Sequence, residues 1–157
     1  MKKLLCVVAL VGMLGAPLAA SAQTVLGPVA AFHDDLDFGI GAFVEIPVPS
    51  LAPGLAIVPS FVYYFPDGFD AWEINGDATY AFQVSEDTPV LPFALAGLNI
   101  LNVGAEGVDS DTEIGLNLGG GIGFRAESVQ PFVGAKFELQ DGTGFVIFGG
   151  VGFTVGG

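Results

Sequence analysis

From Thr112 to Arg125 the side chains change character at every step. Ile114, Leu116, Leu118, Ile122 and Phe124 fall on even positions, while Glu113, Gly115, Asn117, Gly119, Gly121, Gly123 and Arg125 fall on odd ones. Successive strand side chains point to opposite faces, so a period of two specifies a strand with one greasy face and one small or polar face. A chain built around such a strand must settle which face meets solvent.

The first 22 residues read as a secretory signal. Lys2 and Lys3 precede an apolar stretch from Leu4 to Leu14, and small residues end the segment at Ala20-Ser21-Ala22. That stretch is short for a membrane-spanning helix, which needs about 20 apolar residues. Residues 1–22 are therefore expected to be removed, leaving 23–157 as one domain. Cys6, the only cysteine, lies within the signal ahead of the cleavage position, so the domain has no thiol chemistry.

Composition narrows the class. The formal net charge is −13, and of the four cations only Arg125 and Lys136 lie beyond the signal. An acidic chain lacks the electrostatic footprint of a nucleic-acid binder, and none is expected as a partner. High charge would suggest disorder in a polar chain, yet 52% of residues are hydrophobic. Beyond the signal there is no apolar run long enough for a transmembrane helix, so β-structure remains.

Turn signals cut the domain into eight segments of about ten residues, the length a tilted membrane strand requires. The expected strands are Val25 to His33, Asp37 to Ile46, Gly54 to Phe65, Ala71 to Gln83, Pro89 to Ile100, Thr112 to Arg125, Gln130 to Gln140 and Gly144 to Val155. The fourth, seventh and eighth alternate as the sixth does, whereas the first, third and fifth are apolar on both faces. Pro28, Pro59, Pro92 and Pro131 weigh against this division, because proline removes a ladder hydrogen bond. Odd-numbered connections are rich in Asp or Gly, and the longest expected one runs from Leu101 to Asp111. In outer-membrane barrels the longer loops are extracellular and the termini periplasmic.

A soluble barrel buries its apolar faces, and a membrane barrel turns them outward. Here the two cations sit on the polar faces of adjacent strands, together with Gly115, Gly119, Gly121, Gly123, Gly134, Gly150 and Gly152. Small residues suit the tight interior of an eight-stranded barrel. Phe38, Tyr63, Phe65, Trp72, Tyr80, Phe82, Phe124, Phe145 and Phe153 lie near strand ends on the apolar face, as interfacial girdles do.

The segments Leu91-Pro92-Phe93-Ala94-Leu95-Ala96-Gly97, Gly119-Gly120-Gly121-Ile122-Gly123-Phe124-Arg125 and Gln130-Pro131-Phe132-Val133-Gly134-Ala135-Lys136 resemble strands of small bacterial outer-membrane β-barrel proteins of the opacity-protein, OmpA-barrel and OmpX-like group. The resemblance implies an all-β, eight-stranded, antiparallel up-and-down transmembrane β-barrel in the bacterial outer membrane, with membrane lipid as its surroundings. Gly150, Phe153 and Val155 are similar in rhythm to the C-terminal signal read by the barrel-assembly machinery, which the resemblance implies as a partner during insertion.

Inside such a barrel, Glu73, Asp77, Glu113, Asn117, Arg125, Lys136 and Glu138 are expected to form a polar network. Eight strands leave room for side chains rather than an open channel, so rigidity is favoured over transport. His33-Asp34-Asp35 has catalytic residue types but no recognisable serine partner, and reads as a polar turn. Asp109, Asp111 and Glu113 offer calcium-type oxygen ligands without the glycine and terminal glutamate of a full calcium loop. Gly121-Ile122-Gly123-Phe124-Arg125-Ala126 imitates part of a dinucleotide fingerprint but has no helix after it. Neither catalysis nor a cofactor is expected, and the sequence names no ligand. The role expected is structural, surface-interacting or that of a limited pore. The competing reading is a secreted or periplasmic soluble lipocalin-like barrel that binds an apolar ligand.

Overall fold

A computed structural model describes residues 23–156; residues 1–22, expected to be a signal, lie outside the described residues. Eight strands follow in order: β1 (Thr24–His33), β2 (Asp37–Pro47), β3 (Leu55–Tyr64), β4 (Asp70–Ala81), β5 (Val90–Gly104), β6 (Asp111–Phe124), β7 (Val129–Leu139) and β8 (Thr143–Val155). Each pairs antiparallel with the next, and β1 pairs with β8, so the sheet closes on itself. Closure leaves no open edge.

The strands match the sequence division closely except at β5. Alternation continues beyond Ile100 through Leu101-Asn102-Val103, and Asn102 Nδ2 donates to Thr112 Oγ1 at 2.8 Å across the hairpin. The long connection thereby shrinks to residues 105–110, turning at Gly107 with φ 81°. The three-residue turn from β1 to β2 needs a left-handed residue at its end, and Asp37 supplies it at φ 61°.

The prolines sit where the ladders do not need their missing N–H. Pro28 falls in a gap of the β1–β8 pairing between Leu26↔Phe153 and Val29↔Gly150. Pro59 falls in a gap of the β2–β3 pairing between Phe43↔Ser60 and Ile46↔Ile57. Pro92 and Pro131 are the third residues of β5 and β7, beside the barrel end that carries the termini.

The greasy faces point outward. Phe32, Ile40, Leu98, Ile114, Leu116, Leu118, Phe137 and Ile147 are all exposed, with Leu116 at 52%. Phe38, Phe65, Tyr80, Phe82, Phe124, Phe145 and Phe153 are exposed too, near the strand ends. Monomeric soluble proteins rarely expose contiguous apolar area beyond a few hundred Å². A belt of this kind around every strand requires lipid, and the soluble lipocalin-like alternative is set aside on that ground.

The interior is not uniformly polar. Val25, Val29, Ala31, Phe43, Val62, Tyr64, Leu101 and Val146 are buried inside, joined by Phe132 and Phe148. This explains why β1, β3 and β5 read as apolar on both faces: one face meets lipid and the other meets an apolar part of the lumen. The inward glycines of β6 to β8 make room for these rings. A Cβ at Gly134 would lie 2.6 Å from Phe148 Cζ, one at Gly150 2.7 Å from Phe132 Cζ, and one at Gly121 2.7 Å from Phe93 Cζ.

Candidate functional site

Strand parity brings a row of polar side chains into the lumen. Glu73, Asn75 and Asp77 come from β4, Asn99 from β5, Asn117 from β6, and Lys136 and Glu138 from β7; all are buried. Lys136 Nζ donates to Glu73 Oε1 at 2.9 Å and to Asn75 Oδ1 at 2.7 Å, and lies 2.8 Å from Glu138 Oε1. Asn117 Nδ2 donates to Asn75 Oδ1 at 2.8 Å and Asp77 Oδ1 at 2.7 Å, while its own Oδ1 accepts from Asn99 Nδ2 at 2.5 Å. Gln140 Nε2 extends the chain to Asn99 Oδ1 at 2.9 Å. On the far side of β8, His33 Nε2 faces Glu138 Oε2 at 3.5 Å. The polar chain therefore crosses the barrel from β4 to β6 and β7 and reaches on to β1.

Two members of the expected network stand elsewhere. Arg125 follows the last residue of β6, is exposed, and donates its backbone N–H to Pro89 O at 2.7 Å. Strand parity had pointed its side chain inward, but the strand stops at Phe124 and parity ends with it. Glu113 does point inward but is half-buried beside Leu101 and Gln140, with no ion pair among the described residues. Conversely, Asn75, Asn99 and Gln140 belong to the polar chain although the sequence reading did not place them in it. Asn75 shares the parity of Glu73 and Asp77 on β4, and Gln140, just past β7, that of Lys136 and Glu138, whereas Asn99 lies on β5, whose two apolar faces carried no such signal.

His33 is held at the outer rim of the polar chain. Its Nδ1 accepts from Asp35 N at 3.0 Å, and Asp34 Oδ1 accepts from Phe145 N at 3.0 Å. These bonds close the β1–β2 turn and tie it to β8. Among the described residues, the one group of three metal-capable side chains within reach of each other is His33, Asp34 and Asp35, not Asp109, Asp111 and Glu113. With His33 Nδ1 already accepting a hydrogen bond, that group is satisfied as a turn.

The polar chain stands between two cavities of the lumen. One of about 130 Å³ lies on the loop side, bounded by His33, Leu36, Leu101, Glu113, Glu138 and Gln140. The other, about 300 Å³, lies on the side of the termini, walled by Val25, Val29, Phe43, Val58, Val62, Phe93, Leu95 and Phe132. The polar residues Glu73, Asn75, Asp77 and Lys136 close its inner end.

The architecture is that of small outer-membrane β-barrels. The chain is similar to the N-terminal β-barrel domain of Pseudomonas aeruginosa OprF, with a TM-score of 0.71, 15% identity and coverage of 85% of this chain and 97% of that one. It is also similar to Neisserial surface protein A, NspA, with a TM-score of 0.65, 15% identity and coverage of 85% and 96%. Ail, the attachment invasion locus protein of Yersinia pestis, aligns with a TM-score of 0.56, 15% identity and coverage of 85% and 97%. No protein-family profile matches the chain, and no curated protein matches it in sequence. At such identity the likeness is one of fold.

Proposed function

We propose that this chain is an integral outer-membrane protein whose role is structural: a closed barrel that occupies the bilayer without conducting through it. The observation that carries this is the polar chain across the lumen, with Lys136 held by Glu73, Asn75 and Glu138 between two separate cavities. A buried charge held by two hydrogen bonds and a second carboxylate is costly to displace, so the closure is stable. Insertion would proceed through the barrel-assembly machinery, with β8 as the recognised strand. No catalytic step is part of this role.

A surface-interaction role is less well supported. The connections on the loop side are short, the longest being residues 105–110. They carry Asp34, Asp35, Asp67, Glu106, Asp109 and Asp141 without a Lys or Arg. The Ail structure has been solved in complex with the heparin analogue sucrose octasulfate, but an acidic rim repels such a polyanion.

Purified protein in planar bilayers tests the closed barrel. Flat current traces with no unitary steps are expected at moderate voltage. Regular, long-lived openings would show that the lumen conducts and would overturn the structural role.

A further inference from the structure

The larger cavity has a chemical polarity that the closed-barrel role does not use. Its walls are apolar over most of their area, while its inner end is acidic. Glu73 and Asp77 stand there with Lys136 as the only buried Lys or Arg among the described residues, and Lys136 is already engaged with Glu73 and Glu138. Asp77 receives one hydrogen bond, from Asn117 Nδ2 to Oδ1, and has no cationic partner among the described residues. Among the described residues two buried atoms beside the cavity have no hydrogen-bond partner: Glu73 Oε2 and the hydroxyl of Tyr64, in residues 0% and 1% exposed. Glu45, on the wall, adds a further carboxylate with no ion pair among the described residues.

The cavity is reached from the end of the barrel that carries the termini, past Gly54, Ala81, Phe124, Arg125 and Ala126. In even-stranded outer-membrane barrels this end faces the periplasm. A volume of about 300 Å³, apolar walls and a few convergent polar groups are the features of a small-molecule site. An anionic guest would bring a negative charge towards Glu73 and Asp77, and a neutral apolar guest would leave Asp77 unpaired. A guest with one positive charge would pair with Asp77 where the interior is short of cations.

We propose that this cavity binds a small apolar molecule bearing one ammonium group, entering from the periplasmic end. The apolar body packs among Val58, Val62, Phe93 and Phe132, and the ammonium group meets Asp77. This binding goes beyond the structural role and does not depend on it, because the cavity ends below the polar chain whether or not that chain ever opens.

The test uses the whole barrel in lipid nanodiscs, with methyl NMR of lumen valines and leucines and 1-adamantylamine as the probe. Adamantane-1-carboxylate and 1-adamantanol serve as charge controls, and empty nanodiscs correct for partition into lipid. Saturable shifts of the Val58, Val62 and Leu95 methyls are expected with the amine, at least tenfold tighter than with either control. In Asp77→Asn, which keeps the oxygen that accepts from Asn117, amine affinity is expected to fall at least tenfold while the alcohol is unaffected. Ala56→Phe, which fills the cavity below the polar chain, is expected to abolish the lumen shifts for all three probes. Tighter binding of the carboxylate would assign the site to anions held by Arg125 and overturn the proposal. So would absence of lumen shifts with the amine, or an unchanged affinity in a folded Asp77→Asn. If Asp77→Asn does not fold, the comparison of the three probes on the unsubstituted barrel decides alone. Unitary conductance in bilayers would sink the closed barrel without touching this result, which separates the two failures.

Discussion

Lys136 concentrates the lumen's polar contacts in one side chain that is 6% exposed. Removing it leaves the buried carboxylates of Glu73 and Glu138 without their shared cation. Lys136→Leu is expected to destabilise the barrel by about 3 kcal/mol, read as a lowered urea midpoint in lipid vesicles. The other cation of the domain behaves differently: Arg125→Leu, at an exposed position, is expected to change stability by no more than about 0.5 kcal/mol. Equal effects from the two substitutions would contradict the placement of Lys136 at the centre and Arg125 at the rim. Charge and parity alone made the two equivalent. Only the end of β6 at Phe124 distinguishes them, and strand ends are set by pairing with β5 and β7 rather than by the residues themselves.

At the scale of the strand, glycine decides how closely β6 and β7 approach. A Cβ at Gly119 would collide with the Ala135 carbonyl and with Lys136 Cα, backbone atoms that cannot yield without moving β7. At Gly123 the nearest atom would be Leu91 O at 3.8 Å, an ordinary contact. Gly119→Ala is therefore expected to cost about 1–3 kcal/mol and to slow refolding, while Gly123→Ala is tolerated, as folded fractions from heat-modifiable gel migration will show. The same contrast explains what the sequence could disclose. Alternation on β4 and β6 is clean because polar or small residues occupy the lumen there, and β7 and β8 keep it over most of their length although Phe132, Val146 and Phe148 also point inward. On β1, β3 and β5 the lumen side is Val25, Val29, Val62, Tyr64, Phe93 and Leu95, and two apolar faces carry no period. Those strands were recognisable by length and turn signals, but their orientation, and with it the apolar cavity, emerges only when the barrel closes.

For the whole molecule the distribution of charge and grease is the main determinant. The loop-side rim is acidic, the outer wall is apolar, and one hydrogen-bonded chain centred on Lys136 and Asn117 spans the lumen. From the acidic rim, sucrose octasulfate is expected to show no saturable binding to the folded barrel, measured by calorimetry at low salt where attraction would be strongest. The outward belt is the more fundamental claim, since the closed lumen and the acidic rim take their meaning from a barrel that stands in a bilayer. Leu118 lies in the middle of β6 between Ala96 and Phe137, pointing outward. Trp72 is the only tryptophan, so Trp72→Phe with Leu118→Trp gives a barrel with a single indole at mid-height. Its fluorescence in vesicles of brominated lipid is the direct measurement. Bromines deep in the acyl chains are expected to quench it most strongly, with aqueous iodide ineffective; quenching by iodide but not by deep bromines would show that this face meets water and that the barrel does not span the membrane.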